Sequence, residues 1–452
     1  MQHTIVALSP YRACSNMNSN EIREQRNGLV MLAIVSLIVG AASGLLGTLF
    51  RFSLERADQL RDVLVTWARS EHAIGLVIVL LAASASTALA AWLVGRFAPE
   101  ASGSGIPQVE AILNGDLPPA RLSLIPVKFI GGVLAIGAGL ALGREGPSVH
   151  MGAAIAHVLG KSFRRNSHDC MVLMAAGAGA GLATAFDAPI AGAVFVLEEL
   201  TRRFDTRTAV AALGASASAI AVARLVHGGG AEFQLAVQPL LGFGTLPAHL
   251  LLGVIAGLLG VAYCRTILWV LAVSDQLAGC PKTARAAVVG AAVGVLAWYV
   301  PDMVGGGDLI TQRVLANTGA LSAIGLLFLV RFGLGAVSYA AGTPGGLFAP
   351  MLVLGAQTGL VFGRICIDWF PGVAAYPSAF AAVGMAAFFT AVVRAPITGI
   401  VLVTELTGSF TLLLPMLAAC FTAMIVPIML GCPPIYDSLA RRQSGSGRSA
   451  EK

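Results

Sequence analysis

A carboxylate and a guanidinium stand side by side in Gly143-Arg144-Glu145-Gly146-Pro147, and a hydroxyl stands between glycines in Gly103-Ser104-Gly105-Ile106-Pro107. A third glycine-punctuated segment, Gly342-Thr343-Pro344-Gly345-Gly346-Leu347-Phe348-Ala349-Pro350, carries no charge but ends on the same proline signal. Pro107, Pro147 and Pro350 each read as the first turn of a helix, where proline forfeits no hydrogen bond because the first N–H groups have no intrahelical acceptor. The glycines before them let the backbone turn and approach closely. Three helix N-termini brought together would offer N–H donors and positive dipole ends, the chemistry of an anion site. Ser104 adds a hydroxyl donor. Arg144 and Lys128 add positive charge in apolar surroundings, where an unpaired ion is costly, and an anion is their expected partner. Glu145 is the competitor: its carboxylate can occupy donors that a mobile anion would use, and protonation would vacate them. The plainer alternatives for Glu145 are a helix cap or a salt bridge to Arg144.

The elements that must position these residues are membrane helices. Of 452 residues, 56% are hydrophobic and 12% charged, about half the charge of an ordinary soluble domain, and the mean hydropathy of +0.81 agrees. Apolar stretches recur from about residues 29–50 to 409–430, several of them shorter than the ~20 residues of a perpendicular span. In lipid, a broken helix is tolerated only where it is buried in protein or lines a cavity, so the breaks mark a site inside the bilayer. Arg23 and Arg26 precede the first run, and Arg441, Arg442, Arg448 and Lys452 follow the last. Both termini therefore read as cytoplasmic by the positive-inside tendency, and the net charge of +6 requires no nucleic-acid partner. Residues 1–28 lack the pattern of a removable signal peptide. The seven cysteines, Cys14, Cys170, Cys264, Cys280, Cys366, Cys420 and Cys432, are scattered without a CxxC pair, which argues against a disulfide or metal framework.

An internal repeat is legible. Ala188-Pro189-Ile190-Ala191-Gly192 returns as Ala395-Pro396-Ile397-Thr398-Gly399, with Glu198 and Glu405 in matching positions, and Pro147 with Gly152-Ala153 matches Pro350 with Gly355-Ala356. Paired breaks in two halves are the sequence mark of a transporter whose site lies near the midplane between repeats; a duplicated bundle packed through small residues is the alternative. The expected organisation is an N-terminal cytoplasmic segment 1–28, a first membrane repeat 29–226, a connection 227–247, a second repeat 248–438 and a cytoplasmic tail 439–452.

At these residues the chain resembles the CLC family of chloride channels and chloride/proton exchangers, from about residue 29 to 442. The family's signatures stand here as GSGIP (103–107), GREGP (143–147) and GLFAP (346–350), with Tyr436 in Pro433-Pro434-Ile435-Tyr436. The resemblance implies an all-α polytopic membrane protein with two inverted-topology repeats of tilted and partial helices around an anion pathway. It further implies a homodimer with one pore per subunit, in a bacterial inner membrane, without the cytoplasmic regulatory domains of many relatives. Ser104 and Tyr436 hydroxyls and the amides of Leu347 and Phe348 would hold chloride, the backbone at Arg144 and Gly146 would serve an outer position, and Glu145 would be the gate. Glu199 matches the acid that distinguishes exchangers from most channels. It aligns with Leu406 in the other half whereas Glu198 aligns with Glu405, so Glu198 is assigned a structural role and Glu199 the proton transfer. Chloride and protons are the implied substrates, the bilayer and a second copy the partners, with no cofactor and no metal.

A passive voltage- or pH-gated chloride channel is the alternative within transport. An intramembrane hydrolase with Ser104 as nucleophile lacks a convincing general base and the first glycine of a GxSG elbow. His150 and His157, seven residues apart without a third ligand, read as an ordinary helix face. Gly305-Gly306-Gly307-Asp308 lacks a following GK[ST] and reads as a flexible turn. Asp187, before Ala-Pro, and Thr201-Arg202-Arg203 depart from the usual family pattern near the proton entry.

Overall fold

Helix N-termini fall where the prolines place them. The computed structural model describes residues 19–230, 232–235, 243–277, 279–369 and 376–450. Cys14, most of the N-terminal segment, the middle of the 227–247 connection and Lys452 lie outside the described residues. The first half comprises α1 (Ser19–Ser70), α2 (His72–Phe97), α3 (Ile106–Leu113), α4 (Leu124–Gly137), α5 (Glu145–Ser162), α6 (Ser167–Phe186), α7 (Pro189–Phe195) with a π-helical turn over Val196–Leu200, and α8 (Thr206–His227). The second half comprises α9 (Leu246–Gln276), α10 (Lys282–Tyr299), α11 (Asp308–Leu315), α12 (Leu321–Ala340), α13 (Phe348–Trp369), α14 (Pro377–Val393), α15 (Pro396–Thr407), α16 (Leu413–Met429) and α17 (Ile435–Ala450). Eight of the described helices are long and apolar enough to cross a membrane, and shorter apolar helices such as α4, α14 and α15 lie among them.

The halves repeat element for element. α5 packs on α6 as α13 packs on α14, and α1 packs on α8 as α9 packs on α16. Glycines set these approaches: a Cβ at Gly177 would strike the Gly152 carbonyl, and one at Gly384 would strike that of Gly355. Close backbone contact through small residues is how membrane helices gain packing energy when lipid is as apolar as their side chains. α6 and α14, both rich in Ala, are buried on nearly every face and form the centre of each half.

Two reciprocal contacts join the halves. The Glu198 carboxylate accepts from the amides of Ile397 (3.0 Å) and Thr398 (2.6 Å) at the start of α15. Glu405 accepts from Ile190 (3.0 Å) and Ala191 (2.7 Å) at the start of α7. Each acid thus caps the opposite half's helix, where its charge meets free N–H groups and the positive dipole end. Gly143 and Gly346 likewise exchange two backbone hydrogen bonds of 2.8 Å each. A contact in which residue i meets j while j's counterpart meets i's is the signature of a two-fold relation.

Residues 305–308 are not the loose turn that their glycines suggest. Gly305 and Gly307 take positive φ (79° and 100°), as Gly103 and Gly105 do (66° and 96°), and each pair leads into a short helix, α11 and α3. The segment is the second half's copy of the Ser104 loop, held in place by side-chain donors.

Candidate functional site

The glycine loops before α3, α5 and α13 converge at the junction of the halves. The N–H of Gly103 donates to Thr343 O (3.1 Å) and that of Gly345 to Gly103 O (3.2 Å), so the Ser104 loop and the Leu347–Phe348 loop are stitched together by backbone. Ser104 presses on Gly146 so closely that a side chain at 146 would collide with its hydroxyl. Phe348 is fixed among the rings of Phe186, Phe195 and Phe389, with centroids at 5.4, 6.1 and 4.4 Å. Tyr436, one residue into α17, is wholly buried and lies within electrostatic reach of both Glu145 and Glu199. The structure therefore brings together Ser104, Gly146, Glu145, Leu347, Phe348 and Tyr436.

Among the described residues, the hydroxyls of Ser104, Thr343 and Tyr436 at this junction have no partner. Ser104 Oγ and Tyr436 Oη are fully buried and unpaired, a costly arrangement unless something else accepts from them. The amides opening α13 also lack intrahelical acceptors. Donors without acceptors, apart from the Ala349 amide that Glu145 takes, fit a small anion.

Glu145 is 2% exposed, and its carboxylate folds back over Gly143, where only glycine leaves room. Its Oε2 accepts from the Ala349 amide at 3.4 Å, in the first turn of α13. The acid thus sits on an amide of the very helix start that would serve an anion. A cavity of about 260 Å³ opens onto it, lined also by Asp58, Arg61, Arg144, Asp302 and Asp308.

Arg144 and Lys128 differ from the sequence expectation. Neither side chain waits for an anion. Lys128 Nζ donates to Gly103 O at 2.9 Å, bracing the Ser104 loop from behind. Arg144 donates to Ala185 O (2.9 Å) and to Glu232 (2.8 Å), with Asp308 at 3.6 Å. It is therefore Glu232 and Asp308, not Glu145, that pair with it. Glu232 also takes Arg51 at 2.9 Å, so the connection between halves reaches in to neutralise two buried cations. A buried ion needs a partner, and the protein supplies one before any ligand does.

Glu199 lies in the π-helical turn, buried, with Oε1 unpaired. Beside it are Glu110, on α3, and Arg202, which pairs with Glu110 (2.9 Å) and with Asp437 (2.5 Å), the neighbour of Tyr436. Glu110, whose Oε2 is also unpaired, does not stand out in the sequence, although it follows GSGIP by one helical turn. A second cavity, of about 550 Å³, reaches Ser102, Gly103 and Tyr339 and is lined by Lys282, Arg285 and Arg442. Arg331, which sequence reasoning also misses, donates to the carbonyls of Met303 (3.1 Å), Gly305 (2.8 Å) and Gly306 (3.0 Å). A signal for it exists: it is a lone cation in an apolar helix, displaced from Lys128 by the repeat.

Broken helices from two repeats, meeting at a buried set of unpaired donors with a carboxylate on one of them, define a multi-pass membrane protein with an anion-type site between its halves. The family model for voltage gated chloride channels matches residues 86–427, and the chain belongs to this CLC family of inverted-repeat membrane proteins. It is 38% identical over 421 residues to the H(+)/Cl(-) exchange transporter ClcA of Vibrio cholerae serotype O1, covering 90% of this chain and 88% of that one. The ClcA of Yersinia pseudotuberculosis serotype IB is 34% identical over 453 residues, covering 98% and 94%. The crystal structure of a slow cyanobacterial Cl-/H+ antiporter superposes with a TM-score of 0.88 at 32% identity, covering 92% of this chain and 98% of that one.

Proposed function

We propose that the protein is a secondary active transporter that exchanges chloride for protons, with Glu145 as the gate and Glu199 as the internal proton-transfer residue. The observation that carries this reading is the Glu145 carboxylate resting on the Ala349 amide beside the unpaired hydroxyls of Ser104 and Tyr436. Anion and carboxylate then exclude each other. Chloride is held by those hydroxyls and by the amides of Leu347 and Phe348, with the backbone at Arg144 and Gly146 serving the outer position. When chloride leaves, ionised Glu145 takes its donors. A proton arriving by way of Glu199 neutralises Glu145, which releases the donors to the next chloride. No cofactor or metal enters these steps, and no bond of an organic substrate is made or broken.

The family likeness supports a homodimer with one such pathway in each subunit, in a bacterial inner membrane. The basic residues flanking the first and last apolar runs support cytoplasmic termini, with repeats over 29–226 and 248–438 joined by 227–247, and with end segments 1–28 and 439–452 on the cytoplasmic side. A passive channel would use the same donors without needing a buried, unpaired acid at Glu199; that residue favours the exchanger. The test is purified protein in liposomes under an imposed chloride gradient with a pH readout. Protons driven against chloride support exchange. Chloride flux without proton movement would leave the channel, and no flux would remove both.

A further inference from the structure

Arg202 stands three residues beyond Glu199, and one nitrogen of its guanidinium, Nη2, reaches two carboxylates at once: Glu110 at 2.9 Å and Asp437 at 2.5 Å. Those acids belong to the two helices that carry the hydroxyls of the anion site. Glu110 lies on α3, which opens two residues after Ser104, and Asp437 follows Tyr436 on α17. Among the described residues, this guanidinium is the ionic link between α3 and α17. Arg202 is itself held. It takes the left-handed conformation (φ 50°), which is costly for a residue with a Cβ and persists only where the surroundings impose it. Just before it, the Thr201 amide and hydroxyl both donate to Val196 O at 2.9 Å, and the hydroxyl also reaches Arg203 O at 3.3 Å. The end of the Glu199 turn is thus pinned, with its guanidinium laid across α3 and α17. The Arg202 side chain is 49% exposed, against 7% for Glu110 and 19% for Asp437. An ion pair with so open a partner adds little to stability, so stability alone gives no reason for a strained backbone at this point. Position does.

We propose that Arg202 is a positioning residue for exchange: by tying Glu110 to Asp437 it sets the gap between the Ser104 and Tyr436 hydroxyls and links that gap to the turn carrying Glu199. Around Glu199 stand the acids Glu110, Asp437 and Glu198, with Arg202 as their cation. Glu198 is already satisfied by the amides that open α15. Glu110 and Asp437 depend on Arg202, and each would repel the other without it. Removing the guanidinium therefore breaks the tie and pushes α3 and α17 apart. A wider gap holds chloride less well, and chloride then passes without waiting for the proton that Glu199 delivers. Lysine at this position would keep one charge and three donors, enough for two carboxylates, whereas glutamine would keep no charge.

The proton consequence rests on the exchange reading, and the affinity consequence on Ser104 and Tyr436 as anion donors. The experiment uses the full chain, in liposomes with chloride and pH followed together to give protons moved per chloride, and in detergent for calorimetric titration with chloride and thermal melting. Arg202→Gln should lower both the proton ratio and the chloride affinity by about threefold or more, with a melting temperature close to wild type. Arg202→Lys should recover most of both, and Asp437→Asn should repeat the affinity loss. Arg203→Gln, the same change of charge one residue away, should behave as wild type. An unchanged ratio and affinity in Arg202→Gln overturn the proposal. An equal loss in Arg203→Gln does so too, by reducing the effect to net charge at this surface. Should Arg202→Gln melt early, Asp437→Asn decides: wild-type affinity there removes the tie. Wild-type protein that binds no chloride would sink the anion site and the tie with it, before any variant is compared. Wild-type protein that moves chloride without protons would sink exchange alone, and the affinity measurements would still decide the role of Arg202.

Discussion

The loops at 103–107 and 305–309 have one backbone and two uses. Both carry two glycines at positive φ, both open a short helix, and both are held through the carbonyl of their first glycine by a buried cation, Lys128 on Gly103 and Arg331 on Gly305. The first presents Ser104 to the junction. The second has Gly306 at the matching position and ends on Asp308, which faces a vestibule instead. The helix starts diverge in the same way: α5 begins with Glu145 where α13 begins with Phe348, and Glu199 answers to Leu406. The two halves thus share a scaffold, and at three matching positions only the first half carries a polar or acidic side chain, Ser104, Glu145 and Glu199 against Gly306, Phe348 and Leu406.

The halves differ most in consequence at Glu145. Glu145→Ala removes the competing carboxylate, so chloride efflux should lose its pH dependence and proton coupling should vanish. On the proposed gate the wild-type sign follows: flux should rise as pH falls because protonation would vacate the donors, and an efflux assay across pH in which the variant keeps the full wild-type slope would contradict the gate. Next is Glu199→Gln, which gives its half a neutral residue as at Leu406. Proton flux should fall at least about tenfold, a barrier change near 1.4 kcal/mol or more, while chloride flux persists; unchanged proton coupling refutes the assignment.

Lys128→Met and Arg331→Met separate the two loops. Lys128→Met takes one of two donors from Gly103 O, which keeps the Gly345 N–H, and Arg331→Met takes the side-chain donor from the carbonyls of Met303, Gly305 and Gly306, so both should lower thermal stability in detergent, Arg331→Met by about 1–3 kcal/mol and Lys128→Met by less. Calorimetric titration with chloride should then show weakened binding for Lys128→Met alone, since only its loop carries Ser104; equal loss in both would mean that the loops are not functionally distinct. Glu198→Gln and Glu405→Gln should each cost about 1 kcal/mol through the loss of a charged cap, with the larger shift in melting temperature for Glu198→Gln, because Glu198 also accepts from the Thr398 hydroxyl at 2.7 Å. The smallest effect belongs to Asp308→Asn. The side chain is half exposed, so its removal should change chloride affinity by less than about fivefold, within 1 kcal/mol, and less again at high salt.

Much of this site is legible in the amino-acid sequence. Glycines followed by a proline one turn into an apolar run, recurring at a fixed offset, locate the helix starts, the repeat and the candidates Ser104 and Glu145, because those signals are local in the chain, whereas Leu347, Phe348 and Tyr436 enter as candidates only through the family resemblance. The structural role of Glu198 is legible for the same reason, through its twin Glu405. What the chain order does not supply is pairing across distance. Lys128 and Arg144 look like anion ligands in the sequence because their partners, the Gly103 carbonyl, Glu232 and Asp308, are brought to them only by folding. Glu110 beside Glu199 and Arg331 under a loop that reads as flexible are invisible there for the same cause. A residue's type and spacing determine what it can do and where a helix can start; which group satisfies a buried charge is decided by whatever the tertiary fold places within about 3 Å of it.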